Sequence, residues 1–321
     1  MSKTAIGANL LHMQGLKVIP YVCSAGGKKL GSETGASDIK KSGLIDKLAA
    51  EGAPIAWYVD PNEIYDSPWG RRAHENLPPR GTPERNDIVF WHCAQLKNHV
   101  RDVIRSGDRA ITVGGDHAMA LGSIAGLAEA KKAQGRVGVL WVDAHADFNT
   151  PETSPSQALH GMPLAALSGL GDKGFVAIGG EPPAIRPQNI AYIGLRDVDP
   201  GELDFIQHYG IAAFTMKDIE REGLETIFAK AKQAISTNTD TIAFSIDLDA
   251  FDPSEAPSVG TPVENGLHKA QTLPLLRALA DELKPDLMEI TEYNPTLEGR
   301  DTTFTLVEDL LNALLPALET A

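Results

Sequence analysis

Cysteine is scarce in this sequence of 321 residues, which contains only Cys23 and Cys93. The two are not arranged as C-x-x-C, so neither a disulfide framework nor a thiolate metal cage is expected. Such sparing use of cysteine is typical of a reducing compartment. We therefore expect a cytoplasmic protein.

Basic residues are also few. The chain has 29 Lys and Arg against 43 Asp and Glu, which gives a formal net charge of −14. Nucleic acids and anionic membranes are bound through basic surfaces, so neither is expected as a partner. A small cationic ligand would suit this charge, although most acidic side chains on a protein surface are simply solvated.

Long apolar runs are missing as well. No segment approaches the ~20 apolar residues of a membrane-spanning helix, and the N-terminus lacks the apolar core of a signal peptide. Hydrophobic residues make up 42% and charged residues 22% of the chain. These values are typical of a globular protein with a sizeable core.

Short runs rich in Val and Ile alternate with helical patterns along the whole chain. Their near-continuous apolar character predicts parallel strands covered on both faces. The runs predicted as strands are 16–22, 109–115, 137–144, 189–195, 240–247 and 286–294. Helices are clearest over 118–134 and over 302–318, where apolar residues recur at helical spacing at Leu306, Leu310, Leu311, Leu314 and Leu318.

This alternation predicts an α/β protein, a single three-layer α/β/α domain with a mostly parallel sheet over residues 1–321. Residues 1–15 are expected to form an N-terminal extension. The polar, Pro-rich segment 60–87 is expected to be a long surface loop.

The strongest chemical signal is D-A-H-A-D, which follows the predicted strand VGVLWV. Asp143, His145 and Asp147 alternate along an extended segment, so their side chains point to the same side. In open parallel sheets, ligands bind at the carboxyl ends of the strands. One Asp alone would most simply cap the strand. Three convergent ionisable groups instead indicate a bound cation, because like charges held together need compensation.

A second acidic cluster follows the strand TIAFSI and contains Asp247 and Asp249. An EF-hand loop is an alternative interpretation of D-L-D-A-F-D. It fails because the sixth position, normally Gly, is Asp252, and the twelfth, normally Glu, is Ser258. A pair of strand-end carboxylates is the better interpretation.

His117, in G-G-D-H, lies between a predicted strand and a predicted helix, and the segment lacks the spacing of a dinucleotide-binding G-x-G-x-x-G. A lone His here would be a core or capping residue, but the other strand ends supply partners.

The six candidate ligands are His117, Asp143, His145, Asp147, Asp247 and Asp249. They exceed what one tetrahedral ion needs and suit two octahedral ions. Oxygen-rich ligation favours Mn²⁺, with Co²⁺, Ni²⁺ or Zn²⁺ as alternatives because of the histidines. Two ions roughly 3.5–4 Å apart lower the pKa of a bridging water, which predicts metal-assisted hydrolysis.

Three segments together resemble the metal-binding motifs of the ureohydrolase family, and of the arginases within it, in order and spacing: GGDH (114–117), DAHAD (143–147) and SIDLDAFDP (245–253). The similarity runs from about Gly31 to the C-terminal helix. It implies the arginase/deacetylase type of α/β fold, two Mn²⁺ per subunit, and a homotrimer or homohexamer. It also implies that Asp143 and Asp247 bridge the ions, that His117 and Asp147 bind one, and that His145 and Asp249 bind the other.

The resemblance extends to residues around a substrate. It implies that Asn149, Ser154 and Ser156 hold an amino-acid carboxylate and that Asp199 and Glu202 lie near an α-ammonium group. From spacing alone, a polar turn and loop capping would be equally simple interpretations. The match to both segments favours L-arginine as the small cationic guanidino substrate.

The remaining site residues are also implied by the resemblance. His160 would shuttle protons, Glu292 would pair with the guanidinium group, Thr261 would line the pocket and Asp147 would relay a proton. The implied reaction is hydrolysis of L-arginine to L-ornithine and urea by a metal-bridging hydroxide that attacks the guanidinium carbon.

Three departures from the arginase pattern leave alternatives open. Ala158 stands where arginases commonly carry Asn, Ser154 replaces a more usual Thr, and Lys29 lies near a typical Arg. The first two touch carboxylate recognition, so another ureohydrolase, acting on agmatine or a guanidino acid, is the main alternative. A non-catalytic metal-binding relative and a nucleotide-binding oxidoreductase are more distant ones.

Overall fold

The structure is a computed structural model and describes residues 15–315. Its centre is an eight-stranded sheet in which every pairing is parallel. The strands are β1 (Leu16–Pro20), β2 (Ile55–Trp57), β3 (Arg109–Val113), β4 (Val137–Val142), β5 (Ile190–Leu195), β6 (Ala212–Thr215), β7 (Thr241–Asp247) and β8 (Leu287–Thr291). They lie in the order β2-β1-β3-β8-β7-β4-β5-β6. The α/β class and the parallel sheet predicted from the sequence are confirmed.

The six predicted strands are all present, and two further strands, β2 and β6, were not predicted. Both are edges of the sheet. In β2 only three residues pair and Ala56 is exposed, while every residue of β6 is half-buried. Each segment has a short apolar run, 55–59 and 211–214, but at the edge of the sheet these strands are less completely covered than the six predicted ones.

Helices cover both faces of the sheet. They are α1 (Gly35–Ser42), α2 (Leu44–Ala50), α3 (Pro61–Tyr65), α4 (Pro68–Arg72), α5 (Pro83–Arg105), α6 (Met119–Lys131), α7 (Pro163–Leu167), α8 (Lys173–Gly179), α9 (Pro200–Tyr209), α10 (Met216–Glu222), α11 (Leu224–Ser236), α12 (Lys269–Leu283) and α13 (Arg300–Leu314). One apolar core joins the sheet to α5–α8, and a second joins its other face to α1, α2 and α11–α13. The predicted three layers are therefore present. No helix within residues 15–315 is long and apolar enough to cross a membrane.

The segment 60–87 is not the continuous loop that its polar, Pro-rich sequence predicts. It contains α3, α4 and the first turn of α5, and each of these helices has a proline at its start. Proline presets the helical φ at a position where its missing N–H is not needed. Asp60 and Ser67 cap α3 and α4 by accepting N–H groups at 2.8 and 2.9 Å. The predicted N-terminal extension lies outside the described residues except for Gly15, as does Leu318 of the C-terminal helix.

The strand order explains where chemistry can occur. The four adjacent strands β3, β8, β7 and β4 end at the same edge of the sheet. The predicted ligand His117 follows β3, Asp143 follows β4, and Asp247 is the last residue of β7. Glu292 directly follows β8. Residues far apart in the chain therefore meet at one place.

Candidate metal centre and substrate cavity

The turn after β3 presents His117 to the neighbouring strands. Gly114 and Gly115 have φ of 85° and 70°, a region that favours glycine. A Cβ on Gly115 would come within 2.3 Å of the Tyr21 ring, so the turn also needs the space. The His117 imidazole stacks on the Trp141 indole with ring centroids 4.0 Å apart and planes at 6°.

One nitrogen of His117 faces a ring of acids. Nδ1 lies 3.1, 3.2 and 2.9 Å from the Oδ2 atoms of Asp143, Asp147 and Asp247. This buried nitrogen makes no hydrogen bond among residues 15–315. Its ring partner Nε2 lies 2.8 Å from Ser245 Oγ. A ring nitrogen aimed between three carboxylate oxygens is a donor set that fits a divalent cation.

A second donor set lies beside the first. His145 Nδ1 is 3.4 Å from Asp143 Oδ1 and 3.3 Å from Asp249 Oδ2. Asp143 thus offers one oxygen to each imidazole, and the two groups of potential ligands share it. The structure brings all six predicted ligands together, and their arrangement fits two cations bridged by a carboxylate.

The charges in this cluster oppose one another. Burial raises the pKa of Asp247 well above its usual value, and repulsion by Asp249 and Asp143 adds to that rise. Burial and the Asp143 charge likewise raise the pKa of Asp147. The pKa of His117 is raised well above normal, because the surrounding carboxylates outweigh burial, which lowers it. Divalent cations are the compensation that such a buried acidic cluster needs.

Two acidic residues of the site have an unusual backbone conformation. Asp147 has φ 48° and Glu292 has φ 64°, uncommon values for residues with a Cβ. Glu292 Oε1 accepts the backbone N–H of His117 at 3.0 Å and lies 2.9 Å from His160 Nδ1. Burial lowers the pKa of His160, but this contact with Glu292 raises it overall.

A cavity opens over the cluster. Eleven of the predicted site residues line it: Asp147, Asp247, Asp249, His145, His160, Thr261, Asn149, Ser154, Ser156, Asp199 and Glu202. His117, Asp143 and Glu292 are buried around its floor rather than lining it. The structure therefore joins the predicted metal ligands and the predicted substrate contacts in one space.

The segment after D-A-H-A-D carries the predicted carboxylate contacts. The Ser154 hydroxyl oxygen accepts the N–H of Gln157 at 3.0 Å, and that of Ser156 accepts the N–H of Ala158 at 3.2 Å. Each hydroxyl hydrogen stays available to donate to a ligand. Asn149 Nδ2 donates to Asp199 Oδ2 at 2.9 Å, which ties this segment to the start of α9.

Asp199 and Glu202 both cap α9 and line the cavity, so the capping interpretation and the site interpretation both apply. Glu202 accepts the N–H groups of Asp199 and Phe148 at 2.9 and 3.0 Å, one with each oxygen. Burial raises the pKa of this carboxyl to about 8. Glu202 is thus engaged with backbone on both oxygens.

Sequence reasoning missed several residues at the site. Lys28 and Asp197 line the cavity, and nothing in the sequence marks them out. Trp141 and Ser245 support the cluster, since Trp141 Nε1 donates to Asp143 Oδ2 at 2.9 Å. Each lies on a strand two positions before a proposed ligand, so the alternation that identified Asp143 could have identified them.

Comparison with known proteins gives a consistent result. The model of the arginase family matches residues 23–315. The arginase of Bacillus caldovelox is 34% identical over 304 residues, which are 94% of this chain and 98% of that protein. Its crystal structure matches with a TM-score of 0.83 at 32% identity, covering 94% of this chain and 98% of that one. The structure of Entamoeba histolytica arginase in complex with L-ornithine matches with a TM-score of 0.79 at 30% identity, covering 94% and 99% of the two chains.

Proposed function

The chain belongs to the arginase family of hydrolases, which act on the C–N bond of a guanidino group, and from this premise we propose that it converts L-arginine to L-ornithine and urea. One observation carries the proposal. A single cavity places the two metal-ligand groups beside hydroxyl donors suited to a carboxylate and an acid suited to an ammonium group. The relative that is crystallised with L-ornithine supports the same substrate.

The donor set fits two Mn²⁺ ions, with Co²⁺ or Ni²⁺ as alternatives. Asp143 and Asp247 would bridge them, His117 and Asp147 would hold one, and His145 and Asp249 the other. When bound, such a pair of ions supplies a water molecule acidic enough to lose a proton near neutral pH. Thr261 donates to Asp249 Oδ2 at 2.9 Å and so orients that ligand.

The chain's own residues bind and orient arginine. The hydroxyl hydrogens of Ser154 and Ser156, together with Asn149, address the substrate carboxylate. Asp199 faces the α-ammonium group, because its carboxylate accepts from Asn149 Nδ2 at 2.9 Å and keeps further lone pairs to accept from a cation. Both contacts depend on the distance between the guanidinium group and the amino-acid end, so they select the length of the substrate.

In this proposal Glu292 orients the substrate, and two residues, Asp147 and His160, move protons. Glu292 Oε2 is left to pair with the guanidinium group, because Oε1 is engaged with His117 and His160. Asp147 relays a proton to the departing amine. His160 exchanges protons with solvent at the cavity wall, and Glu292 fixes its ring. A cytoplasmic homotrimer or homohexamer stays the predicted setting.

A panel of substrates tests the assignment. Urea release from L-arginine, agmatine and a guanidino acid is compared for the parent protein loaded with Mn²⁺. We expect kcat/KM to be highest for L-arginine, since only that substrate uses both amino-acid contacts. Equal or faster turnover of agmatine would contradict the assignment and leave only the broader family activity.

Asp199→Asn tests the ammonium contact, because it removes the charge while keeping an oxygen for Asn149. We expect KM for L-arginine to rise roughly 10- to 100-fold, the usual range for losing a charge-assisted hydrogen bond. KM for a guanidino acid that lacks the α-amine should hardly change. Asp204→Asn, an exposed position on the same helix, is the matched control. A rise in KM of the same size for both substrates would reject the contact.

A further inference from the structure

A buried acid lies beneath the metal centre and takes no part in the function proposed above. Glu289, on β8, has no exposed surface. The strand register pairs it with Thr112 of β3 on one side and with Ser245 of β7 on the other. Trp141 of β4 is the next residue in the same row. Glu289 therefore lies within a line of side chains that supports His117.

The hydroxyl groups around Glu289 do not explain its presence by stability alone. Its Oε1 accepts from Ser123 and, at 3.4 Å, from Thr112, and Ser245 is its register partner on β7. Its Oε2 has no hydrogen-bond partner among residues 15–315. A buried acid with one unsatisfied oxygen costs stability that an apolar residue would not. Retaining it in the middle of a sheet suggests a role in the site above.

Ser245 connects Glu289 to His117, because it is the register partner of Glu289 and hydrogen-bonds the His117 ring; we refer to these three residues as the relay. Ser245 Oγ lies 2.8 Å from His117 Nε2, and Ser245 has a single hydroxyl hydrogen. If that hydrogen points to Glu289, the Ser245 oxygen accepts the Nε2–H of His117. His117 Nδ1 then keeps its lone pair towards Asp143, Asp147 and Asp247. If the hydroxyl points to His117 instead, the ring proton must sit on Nδ1, and that nitrogen cannot bind a cation.

We propose that Glu289 is a positioning residue, which sets the direction of the Ser245–His117 hydrogen bond and thereby keeps His117 Nδ1 free to bind a metal ion. It acts through Ser245 and touches neither substrate nor ion. The proposal rests on the metal centre described under the proposed function. Hydrogen-bond partners of this kind commonly change metal affinity 10- to 100-fold when they are lost.

The first test is Glu289→Gln, which keeps the shape of the side chain. Its amide group can donate to Ser245, so the hydroxyl is free to point the wrong way. Mn²⁺ binding is measured without substrate, by equilibrium dialysis with free Mn²⁺ counted by electron paramagnetic resonance. We expect one of the two ions to bind roughly 10- to 100-fold more weakly. Unchanged affinity for both ions would overturn the proposal.

Ser123→Ala is the matched control, because it removes another hydroxyl donor to the same carboxylate without touching the relay. Its Mn²⁺ affinity should stay within about twofold of the parent's, well below the loss expected for a relay partner. In Zn²⁺-loaded, ¹⁵N-histidine-labelled protein, the Nε2–H resonance of His117 should shift and exchange faster with water in Glu289→Gln but not in Ser123→Ala. Equal effects of the two variants would show a merely structural role for Glu289.

A double-mutant cycle decides whether Ser245 carries the effect, and it still applies if Glu289→Gln is partly destabilised. Ser245→Ala breaks the relay in its middle and should weaken the same ion. Adding Glu289→Gln to Ser245→Ala should cost no further affinity. If the double variant instead lost Mn²⁺ affinity by the product of the two single losses, the relay would be rejected. Failure of the proposed function looks different: the parent protein would bind two Mn²⁺ ions and yet release no urea from L-arginine.

Discussion

Asp143 is the residue that both proposed groups of metal ligands share, since each of its oxygens faces a different imidazole. Asp143→Asn leaves one carbonyl oxygen and an amide nitrogen that cannot accept. We expect the variant to retain less than one Mn²⁺ per chain, by elemental analysis, and to release no measurable urea. Asp252→Asn, at a strand-end acid outside both ligand groups, is the control and should keep its ions. Full turnover by metal-depleted Asp143→Asn protein would refute the proposed chemistry.

His92 illustrates how burial alone can make stability depend on pH. Its ring is packed edge-on against Tyr21 and Trp91, and burial lowers its pKa to about 4. In the unfolded chain the imidazole has its ordinary pKa near 6.5 and takes up a proton below that pH. In the native state the same ring stays neutral down to about pH 4. The free energy of unfolding should therefore fall by about 3 kcal/mol as pH drops from about 6.5 to about 4.

The variant His92→Gln, which does not titrate, isolates this contribution. Urea unfolding at several pH values should give a shallower loss of stability below pH 6.5 than in the parent. His208→Gln, an exposed histidine on α9, should leave the parent's slope unchanged. The same slope in parent and His92→Gln protein would contradict the assignment.

Among the elements of the fold, the strands that lead to the proposed ligands could be predicted from the sequence, whereas the two edge strands could not. β4 and β7 are buried throughout, so their apolar runs and the acids that follow them are visible in the sequence. β2 and β6 contain only short apolar runs, 55–59 and 211–214, and whether such runs form strands depends on pairing with a neighbour at the edge of the sheet. The same limit applies within the site. Lys28 and Asp197 reach the cavity only through the path of their loops, whereas Asp143 and His145 directly follow the apolar run of β4.

Arg196, just after β5, holds the loop that follows β7. Its guanidinium group donates to the carbonyl groups of Asp249 at 2.6 Å, Val263 at 2.9 Å and Ala250 at 3.2 Å. A lysine carries a single compact ammonium group, which cannot donate to all three of these carbonyl oxygens at once. We expect Arg196→Lys to lower the free energy of unfolding by about 2–3 kcal/mol and to weaken Mn²⁺ binding at the Asp249 side.

Urea unfolding and Mn²⁺ dialysis on the same preparation measure both effects. Arg136→Lys is the control, because Arg136 pairs with Asp240 at the surface and such pairs contribute little. If Arg196→Lys were as stable as Arg136→Lys, the loop would have to be held by other contacts.

The whole molecule is organised around one sheet whose strands come from all parts of the chain. β1 pairs with β3, and β8 pairs with both β3 and β7. A cut after β3 would separate β2-β1-β3 from β8-β7-β4-β5-β6, but the two parts pair through β3 and β8, and His117 follows β3 whereas the other five proposed ligands lie in the second part. We therefore propose that the chain is a single catalytic domain. Its unfolding in urea should show one transition, with coincident loss of helical circular dichroism and change of tryptophan fluorescence, as expected for one cooperative unit. Two separated transitions would contradict this.

The position of β8 determines when, during synthesis of the chain, the complete site can form. This strand is the last in the chain but lies between β3 and β7, and so between the turn that carries His117 and the strand that ends in Asp247. While the protein is being synthesised, those two residues emerge long before residues 287–291 leave the ribosome. Until then nothing spaces the two halves of the sheet correctly. The His117 group of proposed ligands is therefore expected to be completed late in biosynthesis, whereas Asp143, His145 and Asp249 come from β4 and β7, which pair directly without β8.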